Sequence, residues 1–231
     1  MKKLRRSSLS DDAYTFVRAL FLSENRYKPG EKISVEELSR ELGVSRTPLW
    51  GAIYRLEAEG IVEIIPRLGV YLIDYDPQKA IEIYMVREVL EGVAARLASE
   101  RITDAEIADL QSNIEAQRER LKKHQVDKYY SLALDFHEKV TRIAGSKTLE
   151  RFLQSILAQI KAMRLQRNYA PMHLPQSCDD HVKILNALSA RNGELAEKEM
   201  RRHIRDLAEE ISRSAGDAPR SSVRGRRAFA T

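Results

Sequence analysis

The chain has 231 residues, 43% of them hydrophobic, with 39 Lys and Arg against 34 Asp and Glu and a net charge of +5. It contains no apolar run near the roughly 20 residues of a membrane helix, and Asp11-Asp12 interrupts the basic start before a signal-peptide segment forms. The single cysteine, Cys178, excludes an internal disulfide framework.

These features predict a cytoplasmic protein with no membrane partner. The charge is uneven: residues 1–10 hold four basic residues and no acid, and 215–231 hold four basic and one acid. The body, Asp11–Ser214, therefore holds 31 basic and 33 acidic residues. An anionic partner must be recognised by placed residues in the body, since its bulk charge does not favour one. Both ends, 1–10 and 215–231, read as basic disordered tails.

A first helix is predicted over about 11–25, with Tyr14, Val17, Leu20 and Phe21 at helical spacing. Lys28-Pro29-Gly30 breaks it. A second opens at Ser34, whose pairing with Glu37 has the form of a capping box, and stops at Gly43. A third opens at Ser45 and runs to Glu59 over a buried stripe of Leu49, Ile53 and Leu56. After Gly60, Ile61–Ile65 and Val70–Ile73 flank the turn Pro66–Gly69 and read as a β-hairpin. From the N-cap Asp76 and Pro77 onward, six helices follow, about 76–101, 103–123, 127–144, 147–167, 177–191 and 194–213. Breaks are expected at Gly145-Ser146, Tyr169–Pro175 and Asn192-Gly193. The predicted fold is mainly α: a winged helix-turn-helix of three helices plus a hairpin over 11–75, then an all-α antiparallel bundle over 76–214.

Two helices joined by a short glycine turn have helix-turn-helix spacing, and the second would enter a DNA major groove by its N-terminus. With its stripe buried, Arg46, Thr47, Trp50, Gly51 and Tyr54 face outward. Arg46 is placed for a phosphate or a guanine edge. Ser45 and Thr47 carry hydroxyls suited to phosphate. The tip Arg67-Leu68-Gly69 forms the wing. Trp50 has two readings, contact with a thymine methyl or sugar, and packing on Tyr54 one turn away. Gly51 inside a helix costs about 1 kcal/mol against Ala.

The stretch VEELSRELGVSRTPLWGAIYRLEAEGIVEIIPRLGVYL resembles the winged-helix domain of GntR-family transcription regulators, over residues 11–74. The resemblance implies DNA contacts at Arg46 and Thr47, and at Arg40 on the second helix. It departs from the family at Trp50-Gly51-Ala52, where Arg-Glu-Ala is usual, so no arginine contact carries over to Trp50.

Among five histidines, His124 lies near a helix end and His173 in the Pro171–Pro175 loop. The others share apolar stripes on different helices: His137 with Tyr130, Leu134, Val140 and Ala144; His181 with Ile184, Leu185 and Leu188; His203 with Ala196, Met200 and Leu207. Each has the reading of a satisfied core residue. Together they have the reading of a metal site, because neutral imidazoles ligate Zn, Ni, Cu and Fe.

Tyr84–Arg87 with Leu90 and Glu91, Phe136-His137, Asp180–Leu185 and Met200–Ile204 resemble, in order, the FCD effector domain of FadR-type GntR regulators, over 77–213. The resemblance implies that the three histidines join an Asp or Asn four residues before the first. That position is Ala133, and Asp135 points about 200° away at roughly 100° per residue. A divalent transition metal, Zn or Ni, held by His137, His181 and His203 and completed by water or an effector carboxylate, stands beside loss of the metal.

Arg87, near the stripe of Ile83, Leu90, Ala94 and Leu97, needs an anion. Glu91 is one candidate and an effector carboxylate the other. Tyr129, Tyr130 and Arg164 are expected to line the same cavity.

The resulting expectation is a homodimeric regulator, a repressor, binding double-stranded operator DNA under control of a small organic acid. It is not expected to be an enzyme. Two rivals are a metal-dependent helical-bundle hydrolase with an accessory nucleic-acid-binding domain, and a DNA-binding protein whose bundle only dimerises.

Overall fold

The computed structural model describes residues 7–22, 26–167 and 174–216. Chain order is α1 (Ser7–Leu22), β1 (Lys32–Ile33), α2 (Val35–Leu42), α3 (Arg46–Ala58), β2 (Val62–Ile65) and β3 (Gly69–Leu72), followed by α4 (Pro77–Arg101), α5 (Asp104–Lys122), α6 (Val126–Ile143), α7 (Lys147–Arg167), α8 (Leu174–Ser189) and α9 (Gly193–Gly216). The architecture is a winged helix-turn-helix followed by an all-helical region, as the sequence predicts.

The winged part closes on Val17, Leu20, Phe21, Leu38, Leu49, Ile53 and Leu56, all buried. Ser34 starts α2 by accepting a hydrogen bond from the Glu37 amide at 3.2 Å, the first of the two bonds of the expected box. Gly43 ends it with φ +61°, a left-handed turn that a Cβ would strain. Ser45 occupies the N-cap position of α3, but its hydroxyl makes no capping hydrogen bond.

The sheet is antiparallel in the order β1-β3-β2. Its edge strand β1 went unread, because two residues after Lys28-Pro29-Gly30 are too few to show alternation. Pairing with Val70 and Tyr71 creates it.

Several expected limits shift. α1 begins at Ser7 and ends at Leu22, so residues 7–10 of the predicted tail are helical, and 1–6 lie outside the described residues. The 23–25 end of the predicted first helix also lies outside them. α9 extends to Gly216, and 217–231 lie outside. α8 starts at Leu174, three residues before the expected start. Pro175 sits in its first turn, where the missing N–H is unneeded. His173 and the rest of 168–173 fall outside.

In the helical region α4 is the central element, packed by α6, α7, α8 and α9. Its buried side is Ala80, Tyr84, Arg87, Glu91, Ala94, Ala95 and Ala98. The expected stripe of Ile83, Leu90, Ala94 and Leu97 is therefore rotated: only Ala94 is fully buried. Small residues decide this. Gly92 lets α9 lie so close that an added Cβ would meet Arg201 Cγ at 2.5 Å.

The two parts touch through α7. Ser155 Oγ on α7 donates to the Ala58 carbonyl at 3.3 Å, while within the winged part Tyr75 donates a hydrogen bond to the Gly60 carbonyl. Gly60, φ +70°, covers Gln159, whose Cγ would lie 2.3 Å from an added Cβ.

Candidate functional site

Two sites emerge. The first is the outer face of the winged part. Arg40, Ser45, Arg46, Thr47 and Tyr54 are all exposed, Tyr54 at 59%. They stand on α2, at the turn and along α3, the side opposite Leu49, Ala52, Ile53 and Leu56. Arg46 is held by an ion pair to Glu36 on the neighbouring helix.

Trp50 is half-buried and packs on Tyr54, ring centroids 5.6 Å apart at 36°. The intramolecular reading of Trp50 is thus realised. Arg67 is exposed at the hairpin tip with φ +65°. Gly69 has φ +123°, and Lys32 crosses it, its Cε 2.9 Å from where a Cβ would stand. Sequence reasoning missed Lys32, which arrives beside the wing only through the β1 pairing.

The second site is a cavity of about 50 Å³ in the helical region. α4 contributes Tyr84 and Arg87, α6 Tyr129, Tyr130, Ala133, Leu134 and His137, α7 Ile160, Met163 and Arg164, and α8 and α9 supply His181 and His203. The expected residues therefore do converge. His137, His181 and His203 are all buried, and one ligand atom from each falls within 4.8 Å of the others. The rings touch pairwise, with centroids 4.8–5.3 Å apart.

Each imidazole is backed by an oxygen on its far side. His137 Nδ1 lies 2.5 Å from Glu91 Oε2. His181 Nδ1 lies 2.8 Å from Gln117 Oε1. His203 Nδ1 lies 3.7 Å from Asp180 Oδ2. The hydrogen bond at His181 Nδ1, together with carboxylate oxygens on the Nδ1 side of His137 and His203, favours the Nδ1–H tautomer, which turns the Nε2 lone pairs inward. Two of these, on His137 and His181, are 3.3 Å apart, and the buried Nε2 of His203 has no hydrogen-bond partner. Converging lone pairs repel one another unless a cation lies between them. The donor set therefore fits a divalent metal, on the geometry of this chain alone.

The surrounding charges are consistent with neutral rings. Burial drives the His137 pKa down to about 4 despite Glu91, and burial first, then its neighbours, drives His181 well below the ordinary value. Burial disfavours ionised Glu91, but Arg87 and His137 overcome it and hold the carboxyl at about 2. Asp180 also titrates low: burial opposes this, and the nearby His203 ring and the Lys183 ammonium prevail.

Arg87 Nε donates to Glu91 Oε1 at 2.6 Å inside the fold. Glu91, one of the two anions considered for Arg87, is its partner within the chain. Glu91 was expected only as that partner, and its second role behind His137 was unread, as was Gln117. Asp135 turns away to Asn113 and Lys139, as its helical angle requires. Arg164 lies over the Tyr130 ring, 3.3 Å from its centroid, and pairs with Asp127. The buried Tyr130 hydroxyl has no partner.

A winged helix-turn-helix joined to a helical ligand-cavity region is the architecture of a transcription regulator. Residues 10–72 match the family described as bacterial regulatory proteins, gntR family, and residues 82–206 match the FCD domain. The chain belongs to the GntR family, in its FadR-type branch with an FCD domain. It is 26% identical over 184 residues to the HTH-type transcriptional repressor RspR of Escherichia coli K12, covering 79% of this chain and 80% of that one. A probable D-xylose utilization operon transcriptional repressor of Paenarthrobacter nicotinovorans is 24% identical, at 88% of each chain. Among solved structures, E. coli McbR/YncC superposes with a TM-score of 0.70 at 20% identity, covering 90% of this chain and 98% of that one. These relatives are regulators, and so is this chain; it is not an enzyme.

Proposed function

We propose that this chain is a repressor whose operator affinity is set by a small organic acid bound beside a divalent transition metal, Zn or Ni. Residues 11–75 would be the DNA-reading unit and 76–214 the unit for effector binding and homodimerisation. Arg46, Thr47 and Ser45 would meet the major groove and its phosphates. Arg40 would hold the backbone, and Arg67 and Gly69 the minor-groove edge. Tyr54, with Trp50 packed against it, would offer an apolar edge to the groove.

The observation that carries the effector reading is the uncompensated charge of the cavity. His137, His181 and His203 would hold the metal as neutral ligands, and Ala133 supplies no acid. Arg87 is already matched by Glu91. A bound dication would therefore leave the cavity net positive, and a buried positive charge demands an anion. When bound, the metal supplies an open position for a carboxylate oxygen. Tyr130, whose buried hydroxyl has no partner, lines that space, and Arg164 adds charge there. The small cavity volume favours a short acid.

Thermal unfolding of the purified, chelator-treated protein tests the reading. Zn or Ni should raise Tm, and a short carboxylic acid should raise it further only with metal present. No shift with any metal and any acid of a broad panel would reject it.

A further inference from the structure

Helix α5 turns two amides into the core. Asn113 and Gln117 stand one turn apart beside Leu110 and Ile114, 5% and 0% exposed. A buried amide is costly unless its donors and acceptors are matched. Here they form one line. Gln117 Oε1 lies 2.8 Å from His181 Nδ1, and Gln117 Nε2 donates to Asn113 Oδ1 at 2.7 Å. Asn113 Nδ2 donates to Asp135 Oδ2 at 2.9 Å and to the Leu132 carbonyl at 3.2 Å. At the outer end Lys139 Nζ lies 3.3 Å from the same Asp135 oxygen and 2.8 Å from Asp109.

The outer end gives the line its direction. A carboxylate and a peptide carbonyl only accept, whereas an amide can face either way. Asn113 must turn its nitrogen to Asp135 and Leu132, which leaves its oxygen for Gln117. Gln117 must then turn its nitrogen to Asn113 and its oxygen to His181. Flipping both amides would keep their mutual bond but press Asn113 Oδ1 against two oxygens. This matters at His181 in particular. The Nδ1 sides of His137 and His203 face carboxylates, which have one sense only. His181 faces an amide, whose sense has to be set from elsewhere.

We infer that Asp135, Asn113 and Gln117 are positioning residues of the histidine cluster: the acceptor at Asp135, passed through two amides, holds His181 as the Nδ1–H tautomer with its Nε2 lone pair toward the cavity. Asp135 is not among the cavity-lining residues; it acts from the partly exposed face of α6. The inference rests on the proposed metal ligands, but its first readout needs no metal.

Nitrogen-15 NMR of the histidine rings in the metal-free, full-length protein at neutral pH tests it, with the His181 ring identified by its absence from His181→Ala. Wild type should show His181 protonated on Nδ1 and bare on Nε2. Gln117→Leu removes the acceptor. It should move His181 toward the Nε2–H form that a free imidazole favours, and weaken Zn binding about 10–100-fold.

Asp135→Ala leaves both amides and removes the anchor. Leu132 still accepts, so His181 should become a mixture of tautomers, with Zn affinity down about tenfold. Asp135→Asn, whose oxygen the flanking Lys139 and Asn113 donors select, should restore both readouts. Asp109→Ala removes the other partner of Lys139 and should change neither. Helical circular dichroism confirms that each variant folds, and a loss of packing alone would lower Tm without moving the tautomer.

A wild-type His181 protonated on Nε2, or an unchanged tautomer in Asp135→Ala, would overturn the inference. So would equal defects in Asp135→Ala and Asp135→Asn. A wild type that binds no Zn but keeps the tautomer response to Asp135 would undo the proposed metal and leave this relay standing.

Discussion

Glu91 Oε2 stands 2.5 Å from His137 Nδ1 while the other oxygen of the same carboxylate accepts from Arg87 Nε at 2.6 Å. One buried acid thereby stands behind a metal-ligand candidate and neutralises a buried cation. Arg87→Ala is accordingly a poor test of effector contact, because it strands Glu91 as an unpaired buried charge.

Glu91→Gln keeps the shape and an acceptor for His137 but removes the charge. It should destabilise the fold by about 3–5 kcal/mol, as breaking a buried pair does, and weaken metal affinity about 10–100-fold. Urea unfolding and metal titration measure the two effects. An unperturbed midpoint in urea would show that Arg87 has another anion.

His181→Ala removes the ring nearest the other two. The purified protein should lose stoichiometric metal, read by elemental analysis, and its Tm should no longer respond to Zn or Ni. Metal retained at one per chain would mean the ligands lie elsewhere.

Arg46→Ala should weaken operator binding by about 1–3 kcal/mol at physiological salt. The ion pair with Glu36 adds a second arm. Glu36→Gln frees the guanidinium and should leave operator affinity equal or higher. Unchanged affinity of the alanine variant would reject the docking of α3.

The metal-free protein should lose stability as pH falls. His137 has a folded pKa near 4, below the ordinary 6.5 it regains on unfolding, and His181 shifts the same way. Between those values the unfolded chain binds more protons, so stability is full above about pH 6.5 and drains away toward pH 4. The depressed carboxyl pKa values of Glu91 and Asp180 extend the loss to lower pH. Tm measured from pH 7.5 to 4.5 should fall. A flat or rising profile contradicts neutral buried rings.

Much of this was legible in the sequence. Helical periodicity placed Leu49, Ile53 and Leu56 in the core and put His137, His181 and His203 on inward faces. Motif order fixed the family. The outward side of α3 followed from its wheel, apart from Trp50, whose packing on Tyr54 the wheel alone left open.

What was not legible depends on neighbours distant in sequence. Gln117 lies 64 positions from the His181 it supports, and nothing around it marks that role. Helix α4 misled because alanines and Gly92 carry its tightest packing. A pattern read from large apolar residues turned the helix toward Ile83 and Leu90 and hid the solvent side of Val89. Lys32 reached the wing through a two-residue strand with no periodicity to read.

Helix α7 is a party wall. Ile160, Met163 and Arg164 face the cavity, while Ser155 and Gln159 on the same rod bear against Ala58 and Gly60 at the foot of α3. Such a wall cannot be remodelled for one tenant alone. A change at Met163 that admits a bulkier acid should also move resting operator affinity with no acid present, which binding isotherms would register. Under the proposed function, ligand preference and operator affinity would share one rigid helix, so a change in the first would carry over to the second.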